Sequence, residues 1–485
     1  MKKLTKRWQM ILYGCAGLGL NMLNIIIGTK LCNGLIINAF GKDDIGIWTY
    51  ETKTIVVVGA WMALSFIVKI FDGLVDIPLS TFTDNLRTRW GRRRPAILIG
   101  LIPTVISFVL FLFPLENAES SWLNTVWFVL MLAVFYASYT LTMVTYYATF
   151  SEIVDNEHDR NFISTVKSIC DVVYFSLNFA LVPVFISMGI NVRYVALMFL
   201  PLALTMLIPL FLIKEKSTRE GECDDEMINK QERVGFLTSI KFSFKNKRFI
   251  YWLCIVAVMN VGLQLFLGGI DPFFSWLNYD IPDNYKINMT FVMASAFAPV
   301  PFTLILYNKI LKKRGLGFAF RYILLTFSIG MSLMMLCHVA PVELKLPLAI
   351  GCAIVVSFAI GAFFSITYTV PAQLAAEENE TGTVCASTMY FAVQGLFEAI
   401  SASLATQVFL IAIRMIGGGV KDASGEITQE GALMDFFPLF VAGFCMLAFL
   451  MTYFLPRSIS RLGKINKSEE DLQPDDIKAE ATVNE

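Results

Sequence analysis

The sequence predicts an all-α polytopic membrane protein. Three observations carry that prediction: 56% of the 485 residues are hydrophobic, only 16% are charged, and the mean hydropathy is +0.62. Soluble domains are about 25% charged, and a soluble chain this long divides into several domains with charged surfaces. The 41 Phe and 21 Met add to the apolar total. Basic and acidic residues balance at 39 each, so no polybasic signal for nucleic acid exists. Of the nine Cys, only Cys223 lies in a polar stretch. The rest sit in apolar segments, where a thiol behaves as a small hydrophobe. No C-x-x-C occurs, which argues against a zinc site, and the odd count argues against a disulfide framework.

A spanning helix needs about 20 mostly apolar residues. Twelve such spans are read, at 8–38, 54–83, 95–114, 122–150, 162–188, 193–213, 249–276, 287–311, 318–339, 346–370, 384–412 and 434–456. The first is too long for a signal-peptide core and is expected to be retained. With the N-terminus placed in the cytoplasm, most of the 39 Lys and Arg fall in the tails and cytoplasmic loops. That asymmetry requires an even number of spans, with both termini cytoplasmic in a cell (inner) membrane. The longest polar interior stretch, 214–248, follows span six. The chain therefore divides into a six-helix bundle (1–213), a cytoplasmic linker (214–248), a second six-helix bundle (249–456) and a solvated, disordered tail (457–485). Two bundles related by an axis along the membrane normal are the major facilitator plan. Basic turns after span two (Asn85–Gly91) and span eight (Lys309–Gly315) form a faint internal repeat.

A charge at the bilayer centre costs about 2.5–3.5 kcal/mol on the insertion scale, so such residues usually face a cavity or a partner. Span two holds Lys69, Asp72 and Asp76 on one helical face. Two carboxylates one turn apart can clamp a small cation, or raise each other's proton affinity and carry a proton. The same residues also fit a buried Lys–Asp pair that only positions the helix. Lys167 and Asp171 in span five are four apart and fit mutual pairing, and Glu398 is central in span eleven. Asp271 precedes Pro272 and is read as an end cap of span seven. Span four interleaves tyrosines and threonines from Tyr136 to Thr149, an arrangement suited to hydroxylated ligands or to gluing helices together.

The run Asp72-Gly-Leu-Val-Asp76-Ile-Pro78, followed by Asp84-Asn-Leu-Arg87-Thr-Arg89-Trp90-Gly91-Arg92-Arg93-Arg94-Pro95, resembles the signature of one family. That family is the melibiose permease-like glycoside–pentoside–hexuronide:cation symporters of the major facilitator superfamily. The resemblance implies that Asp72 and Asp76 bind the coupling cation (as metal ligands if it is Na+), with Thr140 beside them. Lys167 falls where the family has a sugar-site arginine, Asn21 at its span-one sugar-site aspartate, and Tyr147 at its span-four tryptophan platform. Met143 replaces a sugar-site acid, and Ala399, beside Glu398, replaces a lysine. The expected solute site is thus Asn21, Tyr147, Lys167 and Glu398. The expected cytoplasmic gate is Arg87, Arg89, Arg92, Arg93 and Arg94 with Asp84.

The function expected is cation-coupled symport, with Na+ or H+, of a small solute such as a glycoside, by a chain that works as a monomer without a further cofactor. The charge set favours an uncharged or acidic glycoside over a cationic solute. A non-sugar solute such as a lipid, or a non-transporting sensor on the same scaffold, are the alternatives. An enzyme is not expected: two His and scattered Cys supply no acid–base or metal cluster, and no G-x-x-x-x-G-K-[ST] loop is present for an ATP-driven pump.

Overall fold

The computed structural model describes residues 4–37, 40, 44–86, 88–149, 153, 157–213, 215, 246–278, 281–380, 387–417 and 432–460, some of them, Asp76 and Asp84 included, by backbone alone. Twelve helices in it are long and apolar enough to cross a membrane. They are α1 (Arg7–Gly34), α2 (Val58–Asn85), α3 (Arg93–Phe111), α4 (Trp122–Ala148), α5 (157–187), α6 (Val192–Leu212), α7 (Lys247–Leu277), α8 (Met289–Leu311), α9 (Leu316–Val339), α10 (Val342–Glu380), α11 (Val393–Ile416) and α12 (Phe437–Phe454). Only helices satisfy their own backbone groups in hydrocarbon, which is why apolar runs of this length fold this way. Side chains of Ser121, Asn191, Asn246 and Asn288 accept from first-turn amides and start α4, α6, α7 and α8. Residues 216–245 of the expected linker, and 461–485 of the expected tail, lie outside the described residues.

Buried apolar side chains form two clusters. One is drawn from residues 4–213 plus Ile411; the other from 249–459 plus Phe175 and Phe179. The three strays mark where the halves meet. Large apolar residues such as Ile102, Leu130, Phe211 and Phe302 are exposed on the outer surface, where lipid tails would cover them. The repeat of basic turns has a structural counterpart. Gly91 and Gly315 both adopt φ +84°, a left-handed conformation that lets the chain reverse between α2 and α3 and between α8 and α9.

Twelve alternating spans put the start of α1 and the end of α12 at one end of the bundle, called the terminal end here; the other is the distal end. The helices are not uniform. One-turn π segments interrupt α1 at Ile27–Leu31, α5 at Leu177–Leu181 and α11 at Leu404–Phe409. Such bulges often accompany functional positions, and all three face the seam between the halves.

Within the first half, α3 and α4 pack closely because Gly100 lacks a side chain. A Cβ there would meet Thr142 Oγ1 at 2.2 Å and the Ser138 carbonyl at 2.8 Å. Thr104 adds a hydrogen bond to Ser138 Oγ at 3.0 Å. Gly100→Leu is expected to destabilise by roughly 1–3 kcal/mol through overpacking. Gly351→Leu, with nothing within 4 Å of its Cβ position, should be neutral. Melting temperatures of the purified variants in detergent check this pair.

Candidate functional site

In α2, Asp72 uses both carboxylate oxygens. Thr140 of α4 donates its hydroxyl to Oδ1 at 3.0 Å, and Lys69 donates to Oδ2 at 3.0 Å. The Lys69 ammonium also sits over the Tyr136 ring, 3.7 Å from its centre. An ammonium placed so is held by charge on one side and by the ring quadrupole on the other. Asp76 lies one turn further along α2, with its side chain outside the described residues. Pro78 interrupts the hydrogen-bond ladder of this helix. Gly73 lets α11 approach: a Cβ there would lie 2.8 Å from that of Ala399. Among the described residues no group of three or more His, Cys, Asp or Glu could hold a metal ion.

Beside this pair, between the halves, lies a cavity of about 280 Å³. That is just below the usual range for small-molecule sites, about 300–1,000 Å³. Asn21 and Glu398, from opposite halves, line it, and so does Lys69. Tyr136, Tyr174 and Phe175 give it ring faces. Tyr147 and Lys167 are not in its wall. Asn21 Oδ1 accepts from Tyr139 at 2.8 Å, and Lys167 Nζ lies 5.2 Å from the Tyr147 ring centre. Lys167 donates to Asp171 at 2.8 Å. Of the four residues expected at the solute site, two line the cavity and two lie on its terminal side. Glu398 accepts from Gln394 Nε2 at 2.8 Å.

The distal end of the cavity is closed by residues to which sequence reading assigns no role at the site. Thr29 and Leu267 line its end; one residue and one turn beyond them, Lys30 of α1 and Asp271 of α7 form a fully buried ion pair across the halves. The end-cap reading of Asp271 is corrected here. It lies inside α7, 2% exposed, because the helix continues through Pro272 to Leu277. Trp48 and Phe179 flank the Lys30 ammonium at 5.5 and 4.9 Å. Asn33 donates to the Gly268 carbonyl. Arg414, placed by sequence just past span eleven at 412, is fully buried in α11. It donates to Asn33 Oδ1 at 3.1 Å and to the Ile36 carbonyl. Phe179 stacks on Phe297 of α8, with centres 4.9 Å apart. The signal for this clamp was present, since Lys30 counts among the basic residues inside spans. A partner 241 positions away is not readable from spacing.

Of the expected gate, Arg89 is exposed, Arg92 half-buried and Arg93 buried; Arg87 and the side chain of Asp84 lie outside the described residues. The acid that meets this turn is Glu215, which accepts from the Arg93 amide at 2.8 Å.

Comparison with known proteins fixes the family. The family described as MFS/sugar transport protein matches residues 12–458. The chain belongs to that family. It is a multi-pass membrane transporter of the major facilitator superfamily and not an enzyme. Lactose permease of Lactobacillus helveticus is 28% identical over 129 residues, which is 26% of this chain and 20% of that protein. An uncharacterized symporter of Synechocystis sp. is 29% identical over 103 residues, 20% of this chain and 19% of that protein. The matched stretches thus span about a fifth of each relative. Among solved structures, the nucleoside transporter NupG superposes with TM-score 0.59 at 13% identity, over 91% of this chain and 98% of that one. A bacterial homologue of the human lysosomal transporter Spinster, inward-facing, gives 0.56 at 14%, over 97% and 100%. These two likenesses concern the fold.

In this transporter, removing one partner of the distal pair strands the other charge. Lys30→Met or Asp271→Leu alone is expected to cost about 3–5 kcal/mol. The double variant should recover most of that loss, since no uncompensated charge remains. Thermal melting of the three variants in detergent reads the difference.

Proposed function

We infer that this transporter is a symporter of the glycoside–pentoside–hexuronide:cation family, moving a sugar or glycoside with Na+ or H+ by alternating access. One observation carries the reading: Lys69 belongs to both sites. Its ammonium holds Asp72 and its side chain lines the solute cavity. A cation arriving at Asp72 competes with that ammonium and changes what the cavity presents. This is the differential contact that coupling between two sites requires. Thr140 and Asp76 complete the cation site, and neutral Thr140 can ligate Na+ through its oxygen. The basic residues concentrated at the terminal end support cytoplasmic termini in a cell (inner) membrane. One chain contains both halves, which supports a functional monomer.

Asp72→Asn keeps the size of the side chain and its contact with Thr140 but removes the charge. In proteoliposomes given an inward Na+ or H+ gradient, accumulation of labelled lactose or galactose is expected to fall about tenfold or more. Exchange of the same sugar without a gradient should persist. Full gradient-driven accumulation in Asp72→Asn would remove the assignment.

The arginine turn after α2 supports a second expectation. Arg92→Lys keeps the topology signal and loses the planar fork. If this turn locks and releases the terminal end, the initial rate of uptake should drop while solute affinity stays unchanged. An unaltered rate leaves the turn as a topology signal alone.

A further inference from the structure

The cavity wall contains hydrogen-bonding capacity that the protein itself does not use. On α1, the Asn24 amide makes no hydrogen bond among the described residues. On α7, Gln264 spends only its amide, on Asn260 Oδ1 at 3.5 Å, and its carbonyl oxygen has no partner among the described residues. On α11, Gln407 spends only its carbonyl, accepting from Ser65 at 2.9 Å, and its amide has no partner among the described residues. All three line the same cavity, from both halves. Asn260 is held in place by donating to the Glu398 carbonyl at 2.8 Å. A carboxamide both donates and accepts, as a hydroxyl does. Three such groups around one space match a solute that carries several hydroxyls. A polar group left unpaired away from bulk water is costly, so a solute lacking those hydroxyls loses affinity.

Charge narrows the class further. Lys69 is paired with Asp72, and Lys167 with Asp171. Glu398 has only the neutral Gln394 on its carboxylate, and no ion pair neutralises it among the described residues. A carboxylate on the solute would accept only, like Glu398 itself, and would meet a like charge with no cation free to pair it. An ammonium on the solute would meet both Lys69 and the carboxylate of Glu398, so charge weighs against the anion alone. We propose that Asn24, Gln264 and Gln407 read the hydroxyls of a polyhydroxylated solute, and that Glu398 excludes the corresponding uronate. This deepens the symporter reading and rests on it. It drops the acidic glycoside that the sequence left open, because Lys167 is already paired with Asp171.

The test is binding by the purified full chain in Na+ buffer, read by thermal shift and titration calorimetry. The probes are galactose, xylose and lactose as neutral solutes and galacturonate as the anion. The wild type is expected to bind at least one neutral sugar, and galacturonate at least about tenfold more weakly. Asn24→Leu and Gln264→Leu, on different halves, should each weaken that neutral sugar about tenfold, with the ligand-free melting temperature unchanged. Glu398→Gln should bring galacturonate to within a few-fold of the neutral sugar. Galacturonate binding as tightly as the neutral sugars overturns the proposal. So does unchanged sugar affinity in both leucine variants, and the symporter reading then stands. Failure of the wild type to bind any of the four overturns both.

Discussion

Two charged side chains, Lys30 and Asp271, are buried at membrane depth, and neither can remain there alone. The Born cost of an isolated charge in hydrocarbon is far larger than any packing gain, so α1 and α7 must meet where these residues lie. That meeting fixes the distal contact between the halves. Asn33, Arg414 and the Phe179–Phe297 stack continue it across α11, α5 and α8. It also fixes the cavity, whose end wall is the layer immediately below the pair. The same interaction makes the contact reversible in principle. A buried ion pair brings little net stability, so its loss during opening costs less than loss of an equally large apolar interface. Interfaces with two discrete arrangements are what alternating access needs.

The second pair, Lys69–Asp72, is built on a different plan. It is only partly buried, it joins residues of one helix, and it borders the solute space. The two ion pairs differ in placement: the distal one spans the halves, while the central one stays within a half and puts Lys69, the partner of Asp72, in the cavity wall. Gly73, next to Asp72, packs against Ala399 and so brings this point of α2 against α11, the helix that carries Glu398 and Gln407.

Much of the membrane architecture was legible in the sequence because it follows from length, hydropathy and charge asymmetry, which are local quantities. Asp72, Asp76 and Lys69 were legible because helical periodicity puts them on one face. Asp271 was misread as an end cap because it lies near the distal end of span seven, whereas its partner, Lys30, comes from another helix and is not readable from spacing. Arg414 was placed outside span eleven because a charge normally ends a span, but here the carbonyls of Asn33 in α1 and of Ile36 just past it accept its hydrogen bonds. Asn24, Gln264 and Gln407 carry no charge and no motif. Their meaning lies in which hydrogen bonds they leave unused, and that depends on neighbours from other helices.

The central claim is that solute and cation move together through one shared site. Its most direct measurement is cation flux driven by solute alone. Proteoliposomes with equal Na+ and pH on both sides receive external lactose or galactose, and internal Na+ and pH are followed by fluorescent indicators. The account predicts entry of Na+ or H+ that begins with sugar addition, scales with sugar entry and disappears in Asp72→Asn. Sugar entry with neither ion accompanying it would contradict the account.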